Sequence, residues 1–178
     1  MEHVPWDRRS RRAWSARRSV IAAVAALTLV AVAAAGMAAT LAPGPNGCPT
    51  NKSLKTAPIA DLAPPARTQI EAFDVLSGPI NAGTQTFTMK VRVGSTCGVD
   101  IKGASVYVTA VPYDQFTIPD EELTGDDGTA TLVFRRDANF PASSKQQQLT
   151  LFIRATKPGE NPLAGVSTRR LVAIPFGS

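Results

Sequence analysis

Two hydrophobic rhythms divide the chain. From Val20 to Ala42 (VIAAVAALTLVAVAAAGMAATLA) no charge interrupts the apolar run. As a helix that run spans about 34 Å, enough for a hydrocarbon core of ~30 Å. Further on, a period of two takes over. Thr86 to Val93 sets Phe87, Met89, Val91 and Val93 on one face and Thr86, Thr88, Lys90 and Arg92 on the other. Ser105 to Val111 repeats the pattern with Val106, Val108 and Ala110, and Thr129 to Arg135 with Ala130, Leu132 and Phe134. Gln147 to Ala155 buries Leu149, Leu151, Ile153 and Ala155. Arg67 to Val75 offers Ile70 and either Phe73 or Val75 to a core, and Ser167 to Ile174 offers Thr168, Val172 and Ile174 or their neighbours. Turn residues separate these stretches: Ser77-Gly78-Pro79, Gly98, Gly103, Asp127-Gly128 and the run from Thr156 to Pro162. No helical period appears outside the apolar run. The pattern predicts an all-β fold of six antiparallel strands, preceded by a single N-terminal hydrophobic helix.

The charges fix an orientation for that helix. Arg8, Arg9, Arg11, Arg12, Arg17 and Arg18 precede the apolar run, whereas no Lys or Arg follows it before Lys52. The positive-inside rule puts residues 1–19 in the cytoplasm and the rest of the chain outside. Length favours an uncleaved signal-anchor over residues 20–42. Small-residue matches such as Ala33-Ala34-Ala35 fit a cleavable signal peptide and a secreted product. Both readings export the domain, the first as a single-pass membrane protein. Much of the net charge of +5 belongs to the tail, so the folded part is close to neutral and offers no basic cluster for nucleic acid. Residues 43–65, rich in Pro, Gly, Asn and Thr, read as a linker, and residues 66–178 as the folded domain. Cys48 and Cys97 are the two cysteines of this exported chain, and a disulfide between them is the simplest pairing. It would pin the linker to the domain body.

Gly-x-x-Ile-Lys-Gly-Ala-x-Val-Tyr-Val (from Gly98) and Thr-Gly-Asp-Asp-Gly-Thr-Ala-Thr-Leu-Val-Phe (ending at Phe134) carry a resemblance. They resemble bacterial immunoglobulin-like domains of the invasin/intimin type and, equally, carboxypeptidase regulatory-like modules. The stretch from Gln146 to Glu160 and that from Gly165 to Val172 are similar to uncharacterised exported bacterial proteins of this kind. The resemblance implies an immunoglobulin-like β-sandwich from about Arg67 to Ile174 and an extracytoplasmic setting. It brings no catalytic residue with it, because these motifs specify turns and core positions.

The inventory of reactive groups bounds the chemistry. The single histidine is His3, in the tail, so no Ser/His/Asp or Cys/His nucleophile assembles in the domain. Asp120, Glu121, Glu122, Asp126 and Asp127 crowd one excursion. They could serve a calcium ion, but no EF-hand spacing is present and a solvated acidic loop is the preferred reading. No metal or cofactor is therefore expected. Tyr107, Tyr113, Phe116 and Phe140 lie at strand edges and in the Pro112 to Pro119 loop; Tyr113, Phe116 and Phe140 above all are candidate anchors of a partner surface, although such residues more often cap the end of a sandwich. Arg169 and Arg170, with Arg135 and Arg136 if their strands are neighbours, would add a basic strip suited to an anionic envelope polymer or to lipid headgroups; edge protection is the plainer reading. Taken together, the residues point to a non-catalytic, envelope-associated binding or structural module with a protein or cell-envelope polymer as partner. The alternative is an accessory subunit or regulator of a membrane or envelope enzyme or transport complex.

Overall fold

The computed structural model describes residues 42–51 and 53–177. The Arg-rich tail and the helix expected over residues 20–42 lie outside the described residues, apart from Ala42. Among the described residues no helix is long and apolar enough to cross a membrane.

The stretch with the cleanest alternation, β3 (Thr86–Ser95), is also the one about which the first sheet is arranged. One edge of β3 pairs antiparallel with β2 (Thr68–Val75). Its other edge is shared between β7 (Thr129–Arg135), beside Thr86 to Arg92, and β4 (Asp100–Lys102), which it meets at Gly94. A short strand β1 (Thr56–Pro58) completes this five-stranded sheet, parallel to β4. The second sheet runs β6-β5-β8-β9 and is antiparallel throughout: β5 is Ser105–Val111, β6 Glu122–Leu123, β8 Gln148–Thr156 and β9 Thr168–Pro175.

The inward positions of both sheets form one core. Phe87, Met89, Val91 and Val93 of β3 are buried with Ala130, Leu132 and Phe134 of β7; from the second sheet come Val106, Val108 and Ala110, Leu149, Leu151, Ile153 and Ala155, and Val172 and Ile174. The ambiguous strand at 67–75 is settled by a β-bulge between Ile70 and Ala72. One extra residue, Glu71, shifts the phase, so that Ile70 before it and both Phe73 and Val75 after it face the core side.

Residues 43–65 are not a linker. Ala57, Ile59 and Leu62 are buried in the core, β1 pairs with β4, and a short 3-10 turn (Ile59–Asp61) joins strand to strap. The Ala63 amide donates to the Gly47 carbonyl at 2.9 Å, and Gly47 sits so close against Ala63 that no side chain would fit there. Cys48 and Cys97 are joined by a disulfide with a Cα–Cα distance of 5.8 Å. The Pro and Gly content that reads as a linker instead shapes a strap, and its few apolar residues anchor it.

A second correction concerns two of the aromatics. Phe116 and Phe140 are each 2% exposed. Phe116 packs edge-on against Phe87 and tilted against Phe140, and Phe87 stacks on Phe134 at 4.4 Å. They close one end of the core. Arg136 seals it from outside, donating to the carbonyls of Ala82 and Phe140.

Candidate partner surfaces

The inward phase of the second sheet dictates what its outer face shows. With Val106, Val108 and Ala110 turned in, β5 presents Tyr107 and Val111 outward; β8 presents Phe152 and Arg154; β9 presents Arg169, Leu171 and Ala173. Pairing then lines these up across the strands. Thr109, Phe152 and Leu171 make one row, Tyr107, Arg154 and Arg169 the next, and Val111, Thr150 and Ala173 the row on the other side. Leu171 is 63% exposed and Phe152 and Tyr107 are half-buried. The result is an apolar strip across an outer sheet face, where polar side chains are the usual solution for a face in water.

One end of the strip carries fixed charge. The Arg154 guanidinium lies over the Tyr107 ring at 4.7 Å and donates to Glu121 Oε1 at 2.8 Å. Glu121 Oε2 accepts from the Ser105 hydroxyl, and Arg154 Nε has no partner. Arg169, opposite Arg154, is exposed.

The sequence-derived site residues are scattered by this geometry. Tyr113 is 65% exposed in the loop after β5, two residues before the buried Gln115. Gln115 itself accepts from Gln146 and donates to the Pro112 carbonyl, locking that loop to the entry of β8. Phe116 and Phe140 are in the core and offer no surface. Arg169 and Arg170 point to opposite faces of β9, since Arg170 shares the phase of Val172 and donates to the Ile70 carbonyl on β2. No strip forms with Arg135 and Arg136, because β7 and β9 belong to different sheets.

The acids of the excursion are divided in the same way. Glu121 is held by Arg154, Asp126 by Lys102 and Asp127 by Lys90. Hydrogen bonds from the Thr129 hydroxyl and amide hold the Asp127 carboxyl below its ordinary pKa. Among the described residues no group of three or more His, Cys, Asp or Glu is arranged to hold a metal. On the first sheet, Arg92 pairs with Asp100 through two hydrogen bonds of 2.9 and 2.7 Å, which raise its pKa and tie β3 to β4.

A groove of about 420 Å³ runs between β7 and the excursion after β5. Ile118, Asp120 and Glu122 form one wall; Thr131, Val133 and Arg135 form the other. No family model, curated protein or solved structure matches the chain.

Proposed function

We propose that the protein is a non-catalytic, extracytoplasmic binding module of the cell envelope, built on an immunoglobulin-like β-sandwich. Strand order supports the fold: β2-β3-β7 against β9-β8-β5-β6 follows the A-B-E and G-F-C-C′ arrangement of such domains. The N-terminal apolar run, with arginines on one side only, supports membrane attachment or export. The disulfide fits an oxidising compartment.

The observation that carries the binding function is the strip of Tyr107, Phe152 and Leu171 on the outer face of the β6-β5-β8-β9 sheet. Aromatic and apolar side chains fixed on paired strands, rimmed by arginine, suit the centre of a protein interface. The partner is accordingly a protein of the envelope, and an accessory role in a membrane complex is one form of this function.

Affinity isolation of the full chain from its own membranes tests the proposal, with Leu171→Asp in parallel. Leu171 is exposed, so the substitution leaves the core intact. A defined protein retained by the wild type and lost by the variant supports the reading. Retention on cell-wall material alone, equal for both, contradicts it.

A further inference from the structure

We propose that the outer face of the β6-β5-β8-β9 sheet recognises an acidic segment of its partner protein. In that segment an Asp or Glu seated on Arg169 stands two positions from an apolar side chain that packs on Phe152 and Leu171. The inference rests on the binding function proposed for this face and adds the charge and spacing of what it binds.

The charges of the face do not balance. Arg154 and Arg169 are direct cross-strand partners. The Phe176 amide donates to the Gln147 carbonyl at 2.9 Å, and from there hydrogen-bonded and unbonded pairs alternate along β8 and β9. By that alternation Arg154 and Arg169 form an unbonded pair, the kind whose side chains stand closer. Like charges directly opposite one another destabilise a sheet. Glu121 relieves only one of the two. Its Oε1 accepts from Arg154 and its Oε2 from the Ser105 hydroxyl, so it has no oxygen left for a second arginine. Arg154 accordingly leans away from β9, over the Tyr107 ring of β5. The ion pairs among the described residues include neither Arg169 nor Arg170. Arg170, on the other face of this edge strand, is held by the Ile70 carbonyl and brings no counter-charge. The β9 side of the face thus keeps a positive charge that nothing described in the chain neutralises.

Position along the strand defines the rest of the occupant. Leu171 follows Arg169 on the same face, about 7 Å further along β9, and Phe152 lies directly across from it. An extended segment repeats that spacing between alternate side chains, so it can set a carboxylate on Arg169 and an apolar group on Leu171 together. Apolar contact at Leu171 excludes water beside the guanidinium, which strengthens the ion pair over one on an open surface. A second copy of this chain is a poor fit. Its own face carries the same surplus of positive charge, and its Glu121 is already held at both oxygens.

Random dodecapeptides displayed on phage, panned against the full-length protein in detergent micelles, provide the probe, with the Leu171→Asp protein as counter-selection. The proposal expects enrichment of Asp or Glu two positions from a large apolar residue. Arg169→Gln changes an exposed side chain and weakens the enriched peptides at least tenfold. Arg169→Glu moves the enrichment at that position to Lys and Arg. Peptides that need Leu171 but show no acidic preference, or that bind Arg169→Gln unchanged, overturn the inference and leave the face as a binding surface. If no peptide needs Leu171, the inference and the function proposed for the face both fail. A wild-type dimer in the same micelles that Leu171→Asp dissociates would give the face to a second copy. Binding of phosphatidylglycerol over phosphatidylcholine that Arg169→Gln abolishes would give the charge to lipid. Either result overturns the proposal.

Discussion

Thr124 shows how much a single side chain can hold. Its buried hydroxyl donates to the Ile101 carbonyl at 2.6 Å and accepts from the Ala104 amide at 2.9 Å, joining the end of the excursion to the β4–β5 turn. Thr124→Val keeps the shape and removes both bonds, leaving a buried amide unpaired. A loss of about 1–3 kcal/mol is expected in chemical denaturation. Phe116 distinguishes core from contact: Phe116→Ala is expected to cost about 3–5 kcal/mol of stability by the same measurement, with partner binding unchanged wherever the protein remains folded. Asp127 gives a pH test. Its folded pKa is depressed by the Thr129 hydroxyl and amide, so its contribution is present above the unfolded carboxylate pKa and is lost as pH falls through the folded value. Asp127→Asn retains an acceptor for Thr129 without a titrating group. Melting temperatures of the two proteins should therefore converge in acid below the ordinary carboxylate range and separate above it. Asp127-Gly128 was legible as a turn because only glycine adopts that positive φ without strain, here +70°. Phe116 was legible only as a choice between end cap and partner anchor, because a loop aromatic has no period to say which way it faces; the structure makes it an end cap.

At the scale of elements, the long strands were legible and the short ones were not. β2, β3, β5, β7, β8 and β9 all fall on stretches that alternate or carry apolar residues at matching positions. β1, β4 and β6 are three, three and two residues long, too short for a period of two to register. The strap before β2 was misread for a related reason. Its proline content resembles a linker, and only the partner surface of β4 makes Ala57 and Ile59 interior residues. The disulfide and this packing act together. Replacing both Cys48 and Cys97 by Ala is expected to cost about 2–5 kcal/mol and to expose residues 43–62 to faster amide exchange. In the wild type, both cysteines should resist alkylation until reductant is added.

At the scale of the whole molecule, the candidate site was legible only in part. The outward phase of Tyr107 follows from the same alternation that buries Val106 and Val108, and Phe152 and Leu171 are outward by the same rule. What no single strand records is that Phe152 and Leu171 are cross-strand partners, because register is a property of the pair. The loop aromatics drew the eye away from a face assembled from three strands. The central claim is that the outer face of the β6-β5-β8-β9 sheet is the binding surface, and it is tested most directly by photocrosslinking in intact cells. A benzophenone amino acid replaces Leu171 on that face or, as control, Asp74 on the outer side of β2. The account predicts one discrete adduct from position 171 and none from position 74. Equal adducts from both positions, or an adduct from position 74 alone, would contradict it.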